Sequence, residues 1–284
     1  MTRTFRYQLC DVFTDRPLCG NALAVFTDAV GLDDTSLQAL ARELNLSECA
    51  FVLPPTTPEA DARLRIFTPS MELPFAGHPT LGSAFVLTAE KRGTGIRLET
   101  ARGVSTVTFS RPPDEPTFGW MTQPVPQITP YERASELLAA LGVEQHAVLA
   151  PVELNDNGPH YVLVELASAA AVGALAPDMR GLEALGSIAA VVFAKNGHRW
   201  KARVFAPGEG IAEDPATGAA AGPIALHLGR HGRAPFGAEV IIEQGAELHR
   251  PSTLFARARG GVDAVSVEVG GNAVIIGRGE IDMA

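Results

Sequence analysis

Lysine is nearly missing from this chain: among 284 residues only Lys91, Lys195 and Lys201 are lysine. Each lies at a predicted helix end or hairpin, which leaves a pyridoxal Schiff base little to build on. Cysteine is equally sparse. Cys10, Cys19 and Cys49 are too few for a disulfide framework and lack the C-x-x-C spacing of a structural zinc site. No window of 18 apolar residues exists, so no membrane-spanning helix is expected, and Met1 to Arg6 is not followed by the apolar stretch of a secretory signal. The chain contains no G-x-x-x-x-G-K-[ST], no H-E-x-x-H and no G-x-S-x-G. Gly208 and Gly210 open a G-x-G, but Glu213 stands where a dinucleotide fingerprint needs its third glycine. Basic runs are absent too. With 23 Lys+Arg against 32 Asp+Glu and a net charge of -9, nucleic acid and anionic membrane are poor partners. These absences lead to the expectation of a soluble cytoplasmic protein with no metal and no cofactor.

What is present is a globular composition, 46% hydrophobic and 19% charged, long enough for one large domain or two of about 140 residues. An internal repeat favours two similar halves. Arg65-Ile66-Phe67-Thr68-Pro69 returns as Arg203-Val204-Phe205-Ala206-Pro207, an offset of 138 that also pairs Gly20 with Gly158, Val25 with Leu163 and Ala76 with Asp214. Each copy lies between an apolar strand with its turn and a loop leading to a helix of small residues.

The pattern predicts strands near 4–13 and 22–27, a helix over 33–44 capped at Asp33 or Asp34, a hairpin of 49–53 and 62–67, a helix from Pro79 to Lys91 ending at Gly93, and strands 95–100 and 103–110 around Arg102-Gly103. Prolines from Pro112 to Pro130 mark the linker. The second half predicts a helix over 131–141, strands 147–153 and 160–166, an Asn196-Gly197 hairpin, a helix over 217–229 and strands 239–243, 254–259, 264–268 and 273–278. Many short strands with one central helix per half give an α+β architecture.

Two loop-to-helix junctions carry the chemistry: Pro74 to Gly82 and Glu213 to Gly222. Each places a proline near the predicted helix start, where its missing N–H costs little, and each builds the first turn from small residues. Open backbone N–H groups at a helix N-terminus favour an anion. The titratable groups nearby are His78, Glu213 and Asp214. Glu48 joins them from the mouth of the strand 49–53, where desolvation would raise a carboxyl towards a usable acid or base. Each has a plainer alternative: Glu48 as a turn cap or arginine partner, Asp214 as the N-cap of its helix, His78 as a structural hydrogen-bonder.

The chain resembles the PhzF-like (phenazine-biosynthesis) family in five motifs met in order: Asp11 to Val25, Leu46-Ser47-Glu48, Arg65 to Pro69, Ala76-Gly77-His78-Pro79-Thr80, and Glu213-Asp214-Pro215-Ala216-Thr217-Gly218. The resemblance implies a diaminopimelate-epimerase-like fold. It would comprise two pseudo-symmetric β-roll halves, each wrapped around a central helix, residues 1–125 with strand 270–284 and residues 126–269, the active site lying in the cleft between them. It implies a cofactor-independent isomerase moving a proton on a small carboxylate, with Glu48 as the proton shuttle and His78 and Asp214 orienting substrate. Asn21, Gly77, Pro79, Thr80, Thr217, Gly218 and Ala219 are then the substrate-binding positions, and a homodimer is implied.

Racemases of the wider superfamily carry a thiol at both junctions, whereas Ala76 and Asp214 are expected there in this chain, so a two-thiol racemase is excluded. The family's phenazine enzyme has a serine where this chain has Ala219, so the resemblance alone does not fix the phenazine precursor as substrate. A two-carboxylate epimerase using Glu48 and Asp214, and a non-catalytic carboxylate-binding protein, are the alternatives.

Overall fold

The computed structural model describes residues 3–89, 94–110, 117–261 and 266–283. In chain order the elements are β1 (Arg3–Val12), β2 (Asn21–Phe26), α1 (Asp34–Leu44), β3 (Glu48–Leu53), β4 (Ala62–Phe67), β5 (Glu72–Leu73), α2 (Gly77–Thr88), β6 (Gly95–Thr100), β7 (Gly103–Ser110) and β8 (Phe118–Gln123). There follow β9 (Gln127–Pro130), α3 (Ala134–Leu141), β10 (Glu153–Asp156), β11 (His160–Glu165), α4 (Ala169–Gly173), α5 (Met179–Glu183), β12 (Ala189–Asn196), β13 (Arg199–Ala206), β14 (Ile211–Asp214), α6 (Gly218–Arg230), β15 (Val240–Gln244), β16 (Ser252–Arg259) and β17 (Ser266–Met283). They form two compact units, Met1–Thr122 with Gly270–Ala284, and Gln123–Val269.

In the first unit β1 pairs antiparallel with β2 and with β17, β2 runs parallel to β3, β3 antiparallel to β4, β4 parallel to β6, and β6 antiparallel to β7. β7 pairs with β8, and β8 with β17, so the sheet closes on itself and exposes no edge there. α2 crosses inside this roll. It is apolar nearly all round and buried from Gly77 to Val86, the signature of a core helix rather than a surface one. Gly82 permits the close fit, since a Cβ there would meet Leu23 Cδ2 at 2.6 Å and Val12 Cγ2 at 2.7 Å. Side chains alternate along β2. Leu23 faces α2, whereas Ala24 and Phe26 turn the other way and join Leu37, Leu40 and Phe51 in a core under α1. Asp33 caps α1 by accepting from the Ser36 N–H at 2.8 Å.

The second unit repeats these pairings. β10–β11 is antiparallel, β11–β12 parallel, β12–β13 antiparallel, β13–β15 parallel and β15–β16 antiparallel. α6 is its central helix, and α3, α4 and α5 cover a core of Leu137, Leu141, Val164, Val172 and Phe205.

Both copies of the Arg-x-Phe strand do the same structural work. Arg65 is bidentate to Glu72 at 2.7 and 2.6 Å and lies over Phe67; Arg203 is bidentate to Glu213 at 2.8 Å on both arms and lies over Phe205. Each therefore pins the short strand that leads to the central helix.

Several boundaries differ from the sequence pattern. α2 begins at Gly77, so Pro79 is its third residue, and Pro215 lies two residues before the α6 N-cap Thr217; neither proline occupies the first helical position. The expected end of α2 at Lys91–Gly93, the Arg111–Pro116 stretch and the start of strand 264–268 fall outside the described residues. The strand expected over 147–153 starts only at Glu153 as β10, after a 3-10 turn at Gln145–Ala147 and a single bridge of Val148 with Leu166. Pro130 is the last residue of β9, paired with Glu153. The β6–β7 turn is Ala101-Arg102, and the β12–β13 loop is Gly197-His198, with positive φ at Gly197 alone, as a II′ loop demands. The last two predicted strands are one strand, because Gly270 and Gly271 remain in the ladder.

Candidate active site

In the first unit the structure brings together Asn21, Glu48 and His78. The loop between β1 and β2 delivers Asn21. Phe13, Leu18 and Gly20 all take left-handed φ values (63°, 64° and 66°), and buried Asp11 holds the loop by accepting the Leu18 N–H at 2.7 Å. Gly20 admits no side chain, because a Cβ would sit 2.3 Å from the Val12 carbonyl oxygen. The parallel register of β2 and β3 sets Leu23 opposite Glu48, so Glu48 opens its strand close to Asn21. His78, the second residue of α2, completes the group. Its Nδ1 is 3.4 Å from Glu48 Oε2 and 3.3 Å from Asn21 Nδ2.

All three side chains are buried. Burial pushes the His78 pKa down to about 3, against a smaller opposing effect of the Ala22 backbone. The imidazole is therefore neutral at pH 7, and its contact with Glu48 is not an ion pair. A neutral ring has one donor and one acceptor nitrogen; Nδ1 can accept from Asn21 when bare or donate to Glu48 when it carries the hydrogen. Next door, Cys49 is pushed up to about 12 by burial and by Glu48, and burial raises Cys10 further. Both remain thiols, unsuited to base chemistry.

The first turn of α2 contributes backbone. Thr80 gives both its N–H (3.3 Å) and its hydroxyl (2.7 Å) to the Ala76 carbonyl, and Pro79 has no N–H. Gly77 and His78 are thus the positions whose amides have no intrahelical acceptor.

In the second unit Asp214 is the last residue of β14 and buried. It is not the N-cap of α6. That position is Thr217, whose hydroxyl donates to Asp214 Oδ2 at 2.5 Å. Gln244, at the end of β15, locks this corner: its Nε2 donates to the Asp214 carbonyl at 2.7 Å and to Thr217 Oγ1 at 3.0 Å, and its Oε1 accepts the Thr217 N–H at 3.1 Å. Gly218 and Ala219 then hold the first-turn amides without intrahelical acceptors. Their carbonyls are held by buried side chains, Gly218 by Gln123 Nε2 at 2.9 Å and Ala219 by Asn157 Nδ2 at 2.8 Å. Glu209 is a further buried carboxyl nearby, raised by burial with Asp214 adding to the rise, and bonded to the Ser187 hydroxyl at 3.0 Å.

The helix starts also correct one correspondence. Ala76 is the N-cap of α2, and its counterpart is Thr217, not Asp214. The repeat offset grows from 138 at the Arg-x-Phe strands to 141 at the helices, because the second connection is three residues longer. Neither Ala76 nor Thr217 is cysteine, so the exclusion of a two-thiol racemase stands on the right pair. Gln244, Gln123 and Asn157 escaped sequence reading. Each bonds a main-chain group 27 to 95 residues away and carries no local motif.

Known proteins resemble the chain over nearly its whole length. Residues 10–279 match the PhzC-PhzF family, described as phenazine biosynthesis-like protein. The chain belongs to this family. It is 47% identical to trans-2,3-dihydro-3-hydroxyanthranilate isomerase of Pseudomonas chlororaphis, over 97% of this chain and 98% of that protein. The crystal structure of a Bacillus anthracis phenazine biosynthesis protein of the PhzF family superposes with a TM-score of 0.84 over 98% of this chain and 99% of that one, at 23% identity. A hydroxyproline epimerase from Agrobacterium vitis shares the fold at a TM-score of 0.72, with 14% identity, 99% of this chain and 93% of the other covered. The fold of this PhzF-family chain is thus the diaminopimelate-epimerase-like one, and the chain is an enzyme of the isomerase class.

Proposed function

We propose that the chain isomerises a small conjugated carboxylate by moving one proton with Glu48 and without a cofactor. The observation that carries this reading is the buried contact of the Glu48 carboxyl with a neutral His78 (3.4 Å), beside the open amides of Gly77 and His78. Glu48 takes a proton from an activated carbon, the π-electrons shift, and the same carboxyl returns the proton to another carbon, so no redox partner is required. His78 Nδ1 lies against the carboxyl, and Asn21 Nδ2, 3.3 Å from the same nitrogen, positions the ring. In the second unit Asp214, held by Thr217, is the further candidate for orienting substrate, and the amides at Gly218 and Ala219 suit a carboxylate.

The substrate class is that of the 47% identical relative, a dihydro-hydroxyanthranilate. Ala219 lacks a hydroxyl, so recognition at that position rests on its backbone. The relatives' isomerase chemistry favours this reading over a two-carboxylate epimerase. Among the described residues no helix is long and apolar enough to cross a membrane; the acidic chain works as a cytoplasmic homodimer, which light scattering on the purified protein tests.

The deciding experiment incubates trans-2,3-dihydro-3-hydroxyanthranilate with the protein in D₂O. Wild type should yield an isomer bearing deuterium on a ring carbon. Glu48→Gln should lose turnover by at least about 100-fold while keeping its fold by circular dichroism. A Glu48→Gln enzyme near the wild-type rate would falsify the assignment of Glu48.

A further inference from the structure

The end of α6 away from Gly218 holds a second cluster of titratable groups, for which the proton transfer has no use. His227 and His231 are one helical turn apart and share a face, their ring centroids 4.3 Å apart. The His227 ring is 1% exposed. Its Nε2 lies 3.3 Å from Glu165 Oε2. Arg233 Nε donates to the other oxygen of the same group, Glu165 Oε1, at 3.1 Å. As a carboxylate Glu165 accepts the Nε2 hydrogen, which leaves His227 Nδ1 as a bare lone pair. That lone pair faces Glu153 Oε2 at 3.9 Å, and His231 Nε2 lies 3.6 Å from the same oxygen. Both nitrogens are buried and without a hydrogen-bond partner. Three ligand atoms thus converge within 4.8 Å of one another, an arrangement that a shared cation would stabilise whenever the His231 ring hydrogen sits on Nδ1.

We propose that Glu153 Oε2, His227 Nδ1 and His231 Nε2 bind a divalent transition metal of the zinc class. Zinc at about 2.0–2.1 Å from each donor in tetrahedral geometry spaces its ligands by about 3.4 Å, a few tenths of an ångström inside the separations to Glu153. Two imidazoles and one carboxylate select zinc, cobalt or nickel over magnesium and calcium. The surrounding contacts suit the role. Glu165 fixes the His227 tautomer, and Arg230 clamps Glu153 through Nη1–Oε2 at 2.7 Å and Nη2–Oε1 at 3.1 Å, leaving Oε2 one lone pair. Arg230 and Arg233 already balance the two glutamates, so the ion's charge is not neutralised and the affinity is micromolar rather than nanomolar. The ion would tie the last turn of α6 to the start of β10.

Zinc titration of the full-length protein against a chromophoric chelator tests the proposal, with cobalt absorption in the visible reporting coordination. Wild type should bind one equivalent per chain, give tetrahedral cobalt bands and melt at a higher temperature with zinc. His231→Ala, altered at a partly exposed position, should bind at least about tenfold more weakly and lose both the bands and the thermal shift. Equal zinc affinity and stoichiometry in the two proteins, or no micromolar binding by wild type, overturns the site.

Discussion

At the scale of single residues, His78 carries the most information. Its folded-state pKa of about 3 lies below the ordinary 6.5 because the ring is buried. As pH falls the unfolded chain takes up the proton first, so this residue's contribution to stability is complete above about pH 6.5 and is lost progressively towards pH 3. Urea midpoints at pH 7 and pH 4 measure that loss. The decline should be smaller in His78→Leu than in wild type; identical declines in the two proteins would dismiss His78 as its source. The same neutrality means that an acid limb in turnover between pH 5 and 7 belongs to another group. Sequence alone placed Glu48 and His78 at the starts of two elements. Their contact across 30 positions needed the β2–β3 register and the seat of α2 inside the roll.

At the scale of elements, α6 shows how a sequence conflict is resolved by packing. Pro223 sits inside the helix and cannot donate to the carbonyl four residues earlier, that of Ala219. Asn157, 2% exposed, supplies the missing donor at 2.8 Å. Asn157→Ala leaves that buried carbonyl unpaired and should cost about 1–3 kcal/mol in denaturant unfolding, with a matching loss in turnover as the Gly218–Ala219 turn loosens. A denaturation midpoint equal to wild type would show that the carbonyl finds another partner. The sequence pattern located this helix within one residue at each end, yet it offered no sign of Asn157, Gln123 or Gln244, because a lone amide side chain has no period.

At the scale of the molecule, one strand has an outsized role. β17 pairs with β1 from Arg3↔Met283 to Val12↔Ala273, and Ile281 and Met283 pack on the core under α1. Ending the chain after Val269 would turn β1 into an unprotected edge and open the roll around α2. The truncated chain should aggregate on expression, and a synthetic peptide of residues 270–284 added during refolding should restore soluble protein. A truncated chain that is soluble and melts cooperatively without the peptide would show that the first unit stands without this strand. The repeat announced the duplicated plan, and each unit carries the same five pairings in the same senses.

The sequence by itself determined the α+β class, the repeat, the two junctions of small residues and the family motifs, because periodicity, turn chemistry and local motifs are properties of neighbouring residues. Tertiary structure decided which groups meet. It joined Glu48 to Asn21 and His78, moved the counterpart of Ala76 from Asp214 to Thr217, fused the last two strands into one, and drew Glu153, His227 and His231 together where no metal was expected. Those outcomes depend on strand register, connection length and burial, which are set by contacts between residues far apart in the chain.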